Sequence, residues 1–300
     1  MLATENLAMN IGWIGTGIMG AAMADRLQAA GHALHLFNRT RTKAEPLLAR
    51  GAVWCATPAE VACAAEVVFT IVGYPADVEA IYFGPHGIFS PGQSAAALVV
   101  DMTTSPPELA RRIAAKAAAR GRAALDAPVT GGDVGAREGT LSIMVGGDAA
   151  AFARALPLLR LLGKNIARVG GPGAGQQAKL VNQILIAGTM VGLCEALLVA
   201  ARAGLDQTQL INLLGAGAAG SWALQRLGPR IARGDYAPGF MVEHFLKDLG
   251  LALREATALG LTLPGVELAR TLYEKARELG HGRSGTQALI LALDALNPPR

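Results

Sequence analysis

The first half of the chain alternates between short apolar or β-branched runs and longer segments rich in Ala, Leu and Arg. The short runs predict strands at Asn10–Ile14, Ala33–Phe37, Val67–Val72, Leu98–Asp101, Leu141–Val145 and Ile166–Val169. The longer segments predict helices at Ile18–Ala30, Thr42–Arg50, Pro106–Arg120 and Ala149–Leu162. Strands and helices that alternate at this spacing indicate a doubly wound, mostly parallel sheet with helices on both faces.

The pattern changes after Gly170-Gly171-Pro172-Gly173, beyond which we find no convincing strand. Apolar residues then recur at helical spacing. This predicts helices at Gln176–Ala203, Asp206–Leu214, Trp222–Ala232, Phe245–Leu259, Pro264–Leu279 and Ser284–Leu296. We therefore expect an α/β domain over residues 1–171 and an all-α domain over residues 172–300, joined by a long helix. Residues 1–8 are expected to form a disordered extension.

Composition narrows the possible partners. The chain has 300 residues, 52% of them apolar and 5% aromatic, so a large core must be built mainly from Ala, Leu, Val and Ile. The net charge is +4, and the basic residues are dispersed apart from Arg39, Arg41 and Lys43. Because no polybasic tail or aromatic–basic interleaving is present, nucleic acid is a poor candidate partner. A mild positive charge suits small anionic ligands.

Cysteine spacing and apolar segments bear on the compartment. Cys55, Cys63 and Cys194 are widely spaced, which predicts buried, reduced thiols and no disulfide framework or metal site. The first ten residues lack the regions of a signal peptide. Leu180–Ala201 is apolar enough to raise the question of a membrane span, but two amides and a glutamate interrupt it. We therefore expect a core helix, no membrane and a cytoplasmic protein.

A glycine-rich loop lies between the first predicted strand and the first predicted helix. Gly15, Gly17 and Gly20 have the GxGxxG spacing of dinucleotide-binding loops. The first glycine permits a tight turn, the second lets a pyrophosphate approach the backbone, and the third packs helix against strand. The same spacing at residues 215–220 follows a helical run, so we discount it. The residues expected to contact the dinucleotide are Gly15, Thr16, Gly17, Ile18, Met19 and Gly20.

The end of the second predicted strand bears on the choice of cofactor. NAD-binding proteins usually carry an acid there, which bonds the ribose 2′-hydroxyl. Here Asn38, Arg39 and Thr40 follow the strand, and no acid is present. Arg39 could stack on adenine and pair with a 2′-phosphate; a solvated basic turn is the alternative. We predict that these residues bind NADP in preference to NAD.

A second glycine-rich stretch, DAPVTGGDVGAREGTL, occupies residues 126–141. It follows a short strand and therefore lies at the carboxyl edge of the sheet, where ligands bind in open α/β folds. Thr130, Gly131 and Gly132 offer a hydroxyl and successive backbone N–H groups, which suit a nest for a carboxylate. A surface loop with flexible glycines fits the composition equally well.

The predicted long helix carries a lysine near its start, in the stretch GAGQQAKLVNQ. Lys179, Asn182, Gln183 and Ile186 share one face by i, i+3, i+4, i+7 spacing. Polar groups on an otherwise apolar face indicate a polar cavity, and a desolvated lysine can exchange protons near neutral pH, as a dehydrogenase requires. The alternative is a first-turn lysine that extends to water.

From Met9 to about Leu296, the sequence resembles the β-hydroxyacid dehydrogenases, which include 3-hydroxyisobutyrate dehydrogenase and tartronate semialdehyde reductase (2-hydroxy-3-oxopropionate reductase). The resemblance rests on four stretches in the same order: IGWIGTGIMG, DAPVTGGDVGAREGTLSIMVGG, GAGQQAKLVNQ and KDLGLAL. It implies a Rossmann domain followed by an all-α domain. The second stretch looks especially like tartronate semialdehyde reductase, whereas Asn38-Arg39-Thr40 is similar to NADPH-using relatives.

The resemblance also implies roles for individual residues. Lys179 matches the catalytic lysine of the family, and Asn182 matches the asparagine that holds the substrate's hydroxyl and carboxylate. The carboxylate-binding stretch is matched by Thr130, Gly131 and Gly132, where many relatives have serine. The positions matched near the cofactor are Val72, Gly73, Tyr74, Pro75, Thr104, Lys247 and Asp248.

Several of these positions have an alternative structural explanation. Lys247 and Asp248 are also compatible with a surface pair, and Thr104 with the N-cap of the helix after Pro106. Trp222 and Phe240 are candidate walls of the substrate pocket, together with Gln183, but both aromatics are equally compatible with ordinary core.

These observations predict an NAD(P)-dependent oxidoreductase that interconverts a short 3-hydroxy acid and its semialdehyde, of the 3-hydroxyisobutyrate or tartronate semialdehyde/D-glycerate type. Lys179 is the expected general acid/base. The alternatives are an NADPH-dependent succinic semialdehyde/glyoxylate reductase or a serine 3-dehydrogenase on the same scaffold, and a non-catalytic NADP-binding module. Imine reductases, which are related, lack this lysine. Relatives form dimers and tetramers through the helical domain, so a homodimer or homotetramer is expected.

Overall fold

The computed structural model describes residues 8–90 and 95–298. It divides into two compact units, which we call unit 1, ending at Lys179, and unit 2, beginning at Leu180. The division falls inside the long helix, whereas the sequence places the boundary before it, at residues 171/172. The reason is that the first turn of the helix packs against the sheet of unit 1. Residues 1–7 of the expected extension lie outside the described residues.

Unit 1 is built on a sheet of nine strands. They are β1 (Asn10–Ile14), β2 (Ala33–Phe37), β3 (Val53–Trp54), β4 (Val67–Thr70), β5 (Leu98–Asp101), β6 (Ala123–Asp126), β7 (Val129–Thr130), β8 (Leu141–Gly147) and β9 (Gly163–Gly170). Their order is β3-β2-β1-β4-β5-β6-β8-β7, and β9 pairs with β8. The pairs from β3 to β6 are parallel, β8 is antiparallel to β6 and β7, and β9 is parallel to β8.

Helices cover the sheet of unit 1. They are α1 (Ile18–Ala29), α2 (Glu45–Leu48), α3 (Pro58–Ala64), α4 (Pro75–Phe83), α5 (Pro107–Ala118), α6 (Gly132–Glu138) and α7 (Ala149–Leu162). The helix expected over Thr42–Arg50 is a 3-10 turn, Arg41–Ala44, followed by α2. Periodicity did not predict α3, α4 and α6, because helices of seven to nine residues hold too few turns for an apolar stripe.

Alternate residues of each central strand pack on opposite faces of the sheet. On β4, Val67 and Phe69 belong to one apolar cluster and Val68 to another. Both faces are therefore buried, which explains why these strands are almost continuously apolar. The parallel arrangement also brings the carboxyl ends of β1, β4, β5 and β6 to one edge of the sheet, where the candidate residues of unit 1 lie.

Unit 2 is helical. The long helix α8 (Ala174–Arg202) begins in unit 1 and continues into unit 2. It is followed by α9 (Gln207–Gly215), α10 (Trp222–Arg226), α11 (Gly228–Ala232), α12 (Val242–Ala258), α13 (Pro264–Ala276) and α14 (Leu289–Leu296). A π-helical turn, Arg277–His281, and a 3-10 turn, Thr286–Ala288, precede α14. The segment expected as one helix over Trp222–Ala232 breaks at Leu227, before the Gly228-Pro229 pair.

The core of unit 2 is mostly aliphatic and contains one pair of fully buried aromatic rings. Phe245 of α12 and Tyr273 of α13 are both fully buried and meet edge to face, with 5.0 Å between ring centroids. Of the helices in the described segments, α8 alone is long and apolar enough to cross a membrane by length and composition, and 33% of its most apolar window is buried. Core helices pass the same test, so length and composition carry little weight here.

Candidate active site

The glycine-rich loop joins β1 to α1. A Cβ would have different contacts at each of its three glycines. Gly15 has φ +103°, and a Cβ there would overlap the carbonyl oxygen of Ile71. A Cβ on Gly20 would overlap the carbonyl oxygen of Gly15 and lie 2.9 Å from Ile71 Cγ2. At Gly17, in contrast, a Cβ would meet nothing within 4 Å. Gly15 and Gly20 therefore serve the backbone packing, while Gly17 leaves an open space at the helix start.

The N-terminus of α1 faces that open space. The N-cap residue of this helix is Gly17, and among the described residues no side-chain hydrogen bond caps the helix at that position. The first N–H groups of an α-helix lack partners inside the helix and attract anions. Thr16 is 3% exposed, and its Oγ1 has no hydrogen-bond partner among the described residues. An open cradle, uncapped N–H groups and an orphan hydroxyl fit a dinucleotide pyrophosphate.

The loop is tied to the end of β2 by an asparagine. Asn38 Oδ1 accepts from the Thr16 backbone N–H at 3.0 Å, and its Nδ2 donates to the Thr40 carbonyl at 2.7 Å. Arg39 is 86% exposed and forms an ion pair with Asp77, 3.1 Å from Nη1 to Oδ1. The guanidinium is therefore held by one carboxylate at the first turn of α4 and remains accessible to solvent.

The segment after β4 is held by a threonine of the next strand end. The backbone N–H of Val72 donates to Thr103 Oγ1 at 3.0 Å. Tyr74 is the N-cap of α4, and its N–H donates to Asp77 Oδ2 at 3.2 Å. Thr104 is half-buried, and the N-cap residue of α5 is Pro106, not Thr104. The capping explanation for Thr104 is therefore wrong.

The second glycine cluster is more ordered than a plain surface loop. Thr130 ends β7, which pairs with Ser142 of β8, and α6 begins at Gly132. Gly131 and Gly132 have φ values of +129° and +65°, so both need the freedom of glycine. A Cβ on Gly132 would meet nothing within 4 Å, and the stretch is half-buried. The open space lies at Gly132, whereas a Cβ on Gly131 would lie 3.2 Å from Leu141 Cδ2.

Lys179 is buried in unit 1, where it is 7% exposed. It stands in the second turn of α8, and the alternative of a first-turn lysine that extends to water is therefore wrong. Two residues that sequence reasoning missed hold the start of this helix. Asp126, at the end of β6, accepts from the backbone N–H of Gly173 at 2.8 Å and of Gln176 at 2.9 Å. The Gln176 side chain is fully buried as well.

Unit 2 contains a second buried polar network. Lys247 Nζ lies 2.9 Å from Asp248 Oδ1, and the two side chains are only 14% and 2% exposed, so they are not a surface pair. Asp248 Oδ2 accepts from Gln183 Nε2 at 2.7 Å, and Gln183 Oε1 accepts from Asn182 Nδ2 at 2.7 Å. Gln183 is fully buried with both ends of its amide engaged. This suits a residue that orients Asn182 and Asp248 more than one that contacts substrate.

Three other residues of unit 2 bear on the predicted site: His244, Phe240 and Trp222. Burial lowers the pKa of His244, and the charge of Lys247 lowers it further. Phe240 is half-buried and packs edge-on against Phe245, with 5.7 Å between ring centroids. Trp222, the first residue of α10, is 59% exposed, so it is not ordinary core.

The discounted glycine motif lies between α9 and α10, after a helix and not after a strand. None of Gly215, Gly217 and Gly220 has a positive φ. This segment lacks the strand–loop–helix context that the loop at residues 15–20 has.

Comparison with known proteins agrees with this geometry. Residues 10–171 match the family described as the NAD binding domain of 6-phosphogluconate dehydrogenase. Residues 173–293 match the family described as NAD-binding of NADP-dependent 3-hydroxyisobutyrate dehydrogenase. The two matches together span nearly all of the described chain.

Individual relatives match over almost their whole length. A probable 3-hydroxyisobutyrate dehydrogenase-like protein 1, mitochondrial, from Arabidopsis thaliana is 48% identical over 287 residues, 96% of this chain and 86% of that protein. The 2-hydroxy-3-oxopropionate reductase of Escherichia coli (strain K12) is 41% identical over 288 residues, 96% and 98% of the two chains. The solved structure of Mycobacterium tuberculosis 3-hydroxyisobutyrate dehydrogenase with L-serine is 31% identical, covers 96% and 99%, and has a TM-score of 0.84.

The expected fold class, a Rossmann domain followed by a helical domain, is confirmed by the strand order of unit 1, the helices of unit 2 and the similarity to these structures. A nicotinamide cofactor is confirmed by the family matches. The chain therefore belongs to the β-hydroxyacid dehydrogenase family and is an NAD(P)-dependent hydroxyacid oxidoreductase.

Proposed function

We propose that the protein interconverts a short 3-hydroxy acid and its semialdehyde, with NADP as the preferred cofactor and Lys179 as the general acid/base. The observation that carries this proposal is the burial of Lys179 near the start of α8. A buried lysine is costly unless its charge is used or paired. Its helix begins at the carboxyl edge of the sheet, the edge at which ligands bind in this class of fold.

A bound nicotinamide would supply the hydride chemistry at the carbon that bears the hydroxyl, as hydride acceptor in oxidation and as hydride donor in reduction. Lys179 Nζ takes the hydroxyl proton during oxidation and donates it to the carbonyl oxygen during reduction. Asn182 binds the reacting oxygen, and the hydrogen bond to Gln183 Oε1 fixes the orientation of the Asn182 amide. Thr130, Gly131 and Gly132 hold the substrate carboxylate. Fixing both ends of a small substrate contributes through positioning, worth several kcal/mol.

The substitution Lys179→Ala tests the role of the lysine. We expect a loss of kcat of at least about 100-fold, because positioned acid/base catalysis contributes 10²–10⁴-fold. The Kd for NADPH, measured by fluorescence titration, should stay close to that of the wild type. Lys164→Ala is the matched control, since Lys164 is an exposed lysine of β9. Turnover by Lys179→Ala at the wild-type rate would refute the proposal.

The preference for NADP rests on Arg39, which is exposed at the end of β2 with no acid in the positions after the strand. Its planar guanidinium suits a 2′-phosphate. Arg39→Ala should raise the KM for NADPH by about tenfold, the value of one charge-assisted bond, and leave the KM for NADH unchanged. Arg41→Ala is the control, because Arg41 packs over the ring of Trp54 at 5.3 Å. A wild-type preference for NADH would contradict the assignment.

The identity of the substrate requires a panel of compounds. Steady-state assays with 3-hydroxyisobutyrate, D-glycerate, L-serine, tartronate semialdehyde and succinic semialdehyde, each with both cofactors, separate the candidates. Turnover of 3-hydroxyisobutyrate, or of D-glycerate and tartronate semialdehyde, supports the proposal. A preference for L-serine or succinic semialdehyde favours the alternatives on the same scaffold. Cofactor binding without turnover of any compound would indicate a non-catalytic module.

We also propose a cytoplasmic homodimer or homotetramer. The observation is an apolar face of α8 that unit 2 leaves exposed, with Val181, Leu185 and Val199 at 58%, 68% and 67% exposure. The occupant is a second copy of this chain, because the face carries only one acid, Glu195, and is flat at Gly188 and Gly192, so two such helices can approach closely.

Sedimentation of the wild type and of Leu185→Glu tests this assembly. The wild type should sediment as a dimer or tetramer without detergent, and the variant as a smaller species, since the substitution places a charge in the contact. A monomeric wild type would refute the assembly, and a wild type that needs detergent to stay in solution would show that lipid covers this face.

A further inference from the structure

We propose that Thr103, Asp126 and Gln176, together called the α8 anchor, are positioning residues that set the place of Lys179. The inference rests on the proposed role of Lys179 as the proton-transfer group. It assigns a function in catalysis to three buried residues that touch neither substrate nor cofactor in the proposed mechanism.

Asp126 supplies the first half of the anchor. It is 3% exposed, and both of its carboxylate oxygens accept from backbone N–H groups at the start of α8, those of Gly173 and Gln176. These partners are 47 and 50 residues away along the chain. The carboxylate therefore caps the helix from outside it and fastens the helix start to the end of β6. A negative charge at this end also complements the helix dipole.

Two other described helices with an aspartate cap are capped in a simpler way. Asp148 caps α7 and Asp206 caps α9, each as the residue that immediately precedes its helix. Both of those side chains are exposed, so the caps avoid the cost of burying a charge. Burial raises the pKa of the Asp126 carboxyl, although the backbone N–H bonds oppose this. A helix that needed only a cap would not require a buried carboxylate from a distant strand.

Gln176 supplies the second half. Its Nε2 donates to the Thr103 carbonyl at 2.7 Å, and its Oε1 accepts from the Ser105 N–H at 2.9 Å. One side chain thus bridges the backbone on both sides of Thr104, a position that the resemblance places near the cofactor. Gln176 lies one helical turn before Lys179 in α8. A shift of the helical turn that carries Gln176 would therefore also shift the lysine.

Thr103 extends the anchor to the next strand end. Its Oγ1 accepts from the Val72 N–H at 3.0 Å, and its own N–H donates to Asp101 Oδ1 at 3.1 Å. A continuous set of hydrogen bonds therefore runs from the end of β4 through β5 to the start of α8. The segments that it connects are two that the resemblance places near the cofactor, at Val72 and Thr104, and the one that carries the proposed proton-transfer group.

Glycines allow the helix start to lie directly on the strand ends. A Cβ on Gly175 would come within 2.5 Å of the carbonyl oxygens of Asp126 and Met144. A Cβ on Gly146 would come within 2.5 Å of Asp126 Oδ1. Backbone contact of this kind leaves little room for the helix start to move while the anchor is intact.

The variants Asp126→Asn and Gln176→Met test the proposal in the full-length enzyme. The first substitution would place an amide N–H₂ against a backbone N–H, and the second would keep the side-chain length while removing both hydrogen bonds. We expect kcat to fall at least about tenfold in each, since a misplacement of 1 Å can cost about 100-fold. In Asp126→Asn the Kd for NADPH should stay within about twofold of the wild-type value, because the glycine-rich loop is untouched and the carboxylate bonds the start of α8.

The control is Asp148→Asn, which makes the same chemical change at the cap of α7, a helix that carries no proposed site residue. Its kcat should equal that of the wild type. If Asp126→Asn fails to fold, the Gln176 variant decides. A kcat within about twofold of wild type in the folded anchor variants, or an equal loss in Asp148→Asn, would overturn the proposal.

A double-mutant cycle separates positioning of the lysine from general stabilisation. If the anchor acts through Lys179, Asp126→Asn should cost at least about tenfold in the wild type but less than about twofold in Lys179→Ala. An equal loss in both backgrounds would overturn the anchor while leaving the role of Lys179 intact. Wild-type turnover by Lys179→Ala alone would instead refute the proposed function on which the anchor rests.

Discussion

The glycine-rich loop allows a test in which the same Gly→Ala substitution should change different properties at two positions three residues apart. Gly17 has φ −71° and ψ −172°, which any residue adopts, and its Cβ position is open. Gly20 lies in the first turn of α1, where a Cβ would overlap the Gly15 carbonyl oxygen. Gly17→Ala should therefore affect cofactor binding without affecting stability, and Gly20→Ala should affect stability.

The magnitudes follow from these contacts. Replacing Gly with Ala inside a helix ordinarily stabilises it by about 1 kcal/mol. At Gly20 the overlap is with backbone, which cannot rotate away, and overpacking costs about 1–3 kcal/mol. We expect overlap to outweigh propensity, with a net loss of about 1–2 kcal/mol and a lower Tm. At Gly17 the added methyl group blocks the helix N–H groups, and losing one charge-assisted bond of about 1.5–3 kcal/mol weakens cofactor binding by about 10- to 150-fold.

Thermal unfolding without cofactor, followed by circular dichroism, measures the first effect, and fluorescence titration with NADPH measures the second. Gly265→Ala is the control, since a Cβ there also meets nothing within 4 Å and the residue lies in α13. It should leave the Kd for NADPH unchanged and should not lower the Tm, because helix propensity favours alanine at an open helical position. The reasoning is refuted if Gly17→Ala binds NADPH as tightly as the wild type, or if Gly20→Ala is as stable as the wild type.

Three further predictions concern thiols, pH and the network of unit 2. Cys63 is exposed, so the expectation of three buried thiols is wrong for this residue, whereas Cys55 and Cys194 are buried and burial raises the pKa of Cys194 to about 12. A thiol reagent at pH 8 should therefore label one cysteine in the native enzyme and three after unfolding, and rapid labelling of all three would contradict the burial. Hydrogen bonding from Arg230 lowers the pKa of Asp235 to about 2. A lowered folded-state pKa gives stability that is present above the unfolded value of about 4 and is lost as pH falls towards 2. The Tm difference between wild type and Asp235→Asn should therefore shrink from pH 6 to pH 3, and a constant difference would show that the ion pair is not its source. Gln183→Met strands a buried carboxylate oxygen and should reduce the free energy of unfolding by about 1–3 kcal/mol, measured by urea denaturation; unchanged stability would contradict the hydrogen bond.

Local patterns sufficed for the fold class and for the dinucleotide loop. The strand runs, the helix-ending glycines and GxGxxG after a strand all depend on residues close in sequence, because backbone conformation and turn sterics are set by near neighbours. The shortest elements escaped: β3 and β7 have two residues each, too few for a periodic signal. The apolar periodicity predicted α8 to within two residues at each end. It also indicated Lys179 as a candidate site residue, because a lysine is unusual in an apolar run.

Tertiary structure alone decided which polar residues are buried and what they bind. Lys247 and Asp248 look like a surface pair in sequence, yet they are enclosed with Gln183, which is 65 residues from Asp248. The roles of Asp126 and Gln176 could not be predicted from the sequence, because their hydrogen-bond partners lie 47 to 73 residues away. Side-chain spacing along one helix or strand reports a shared face. Burial and hydrogen-bond partners arise only when distant segments pack together, and no periodicity in the chain records that.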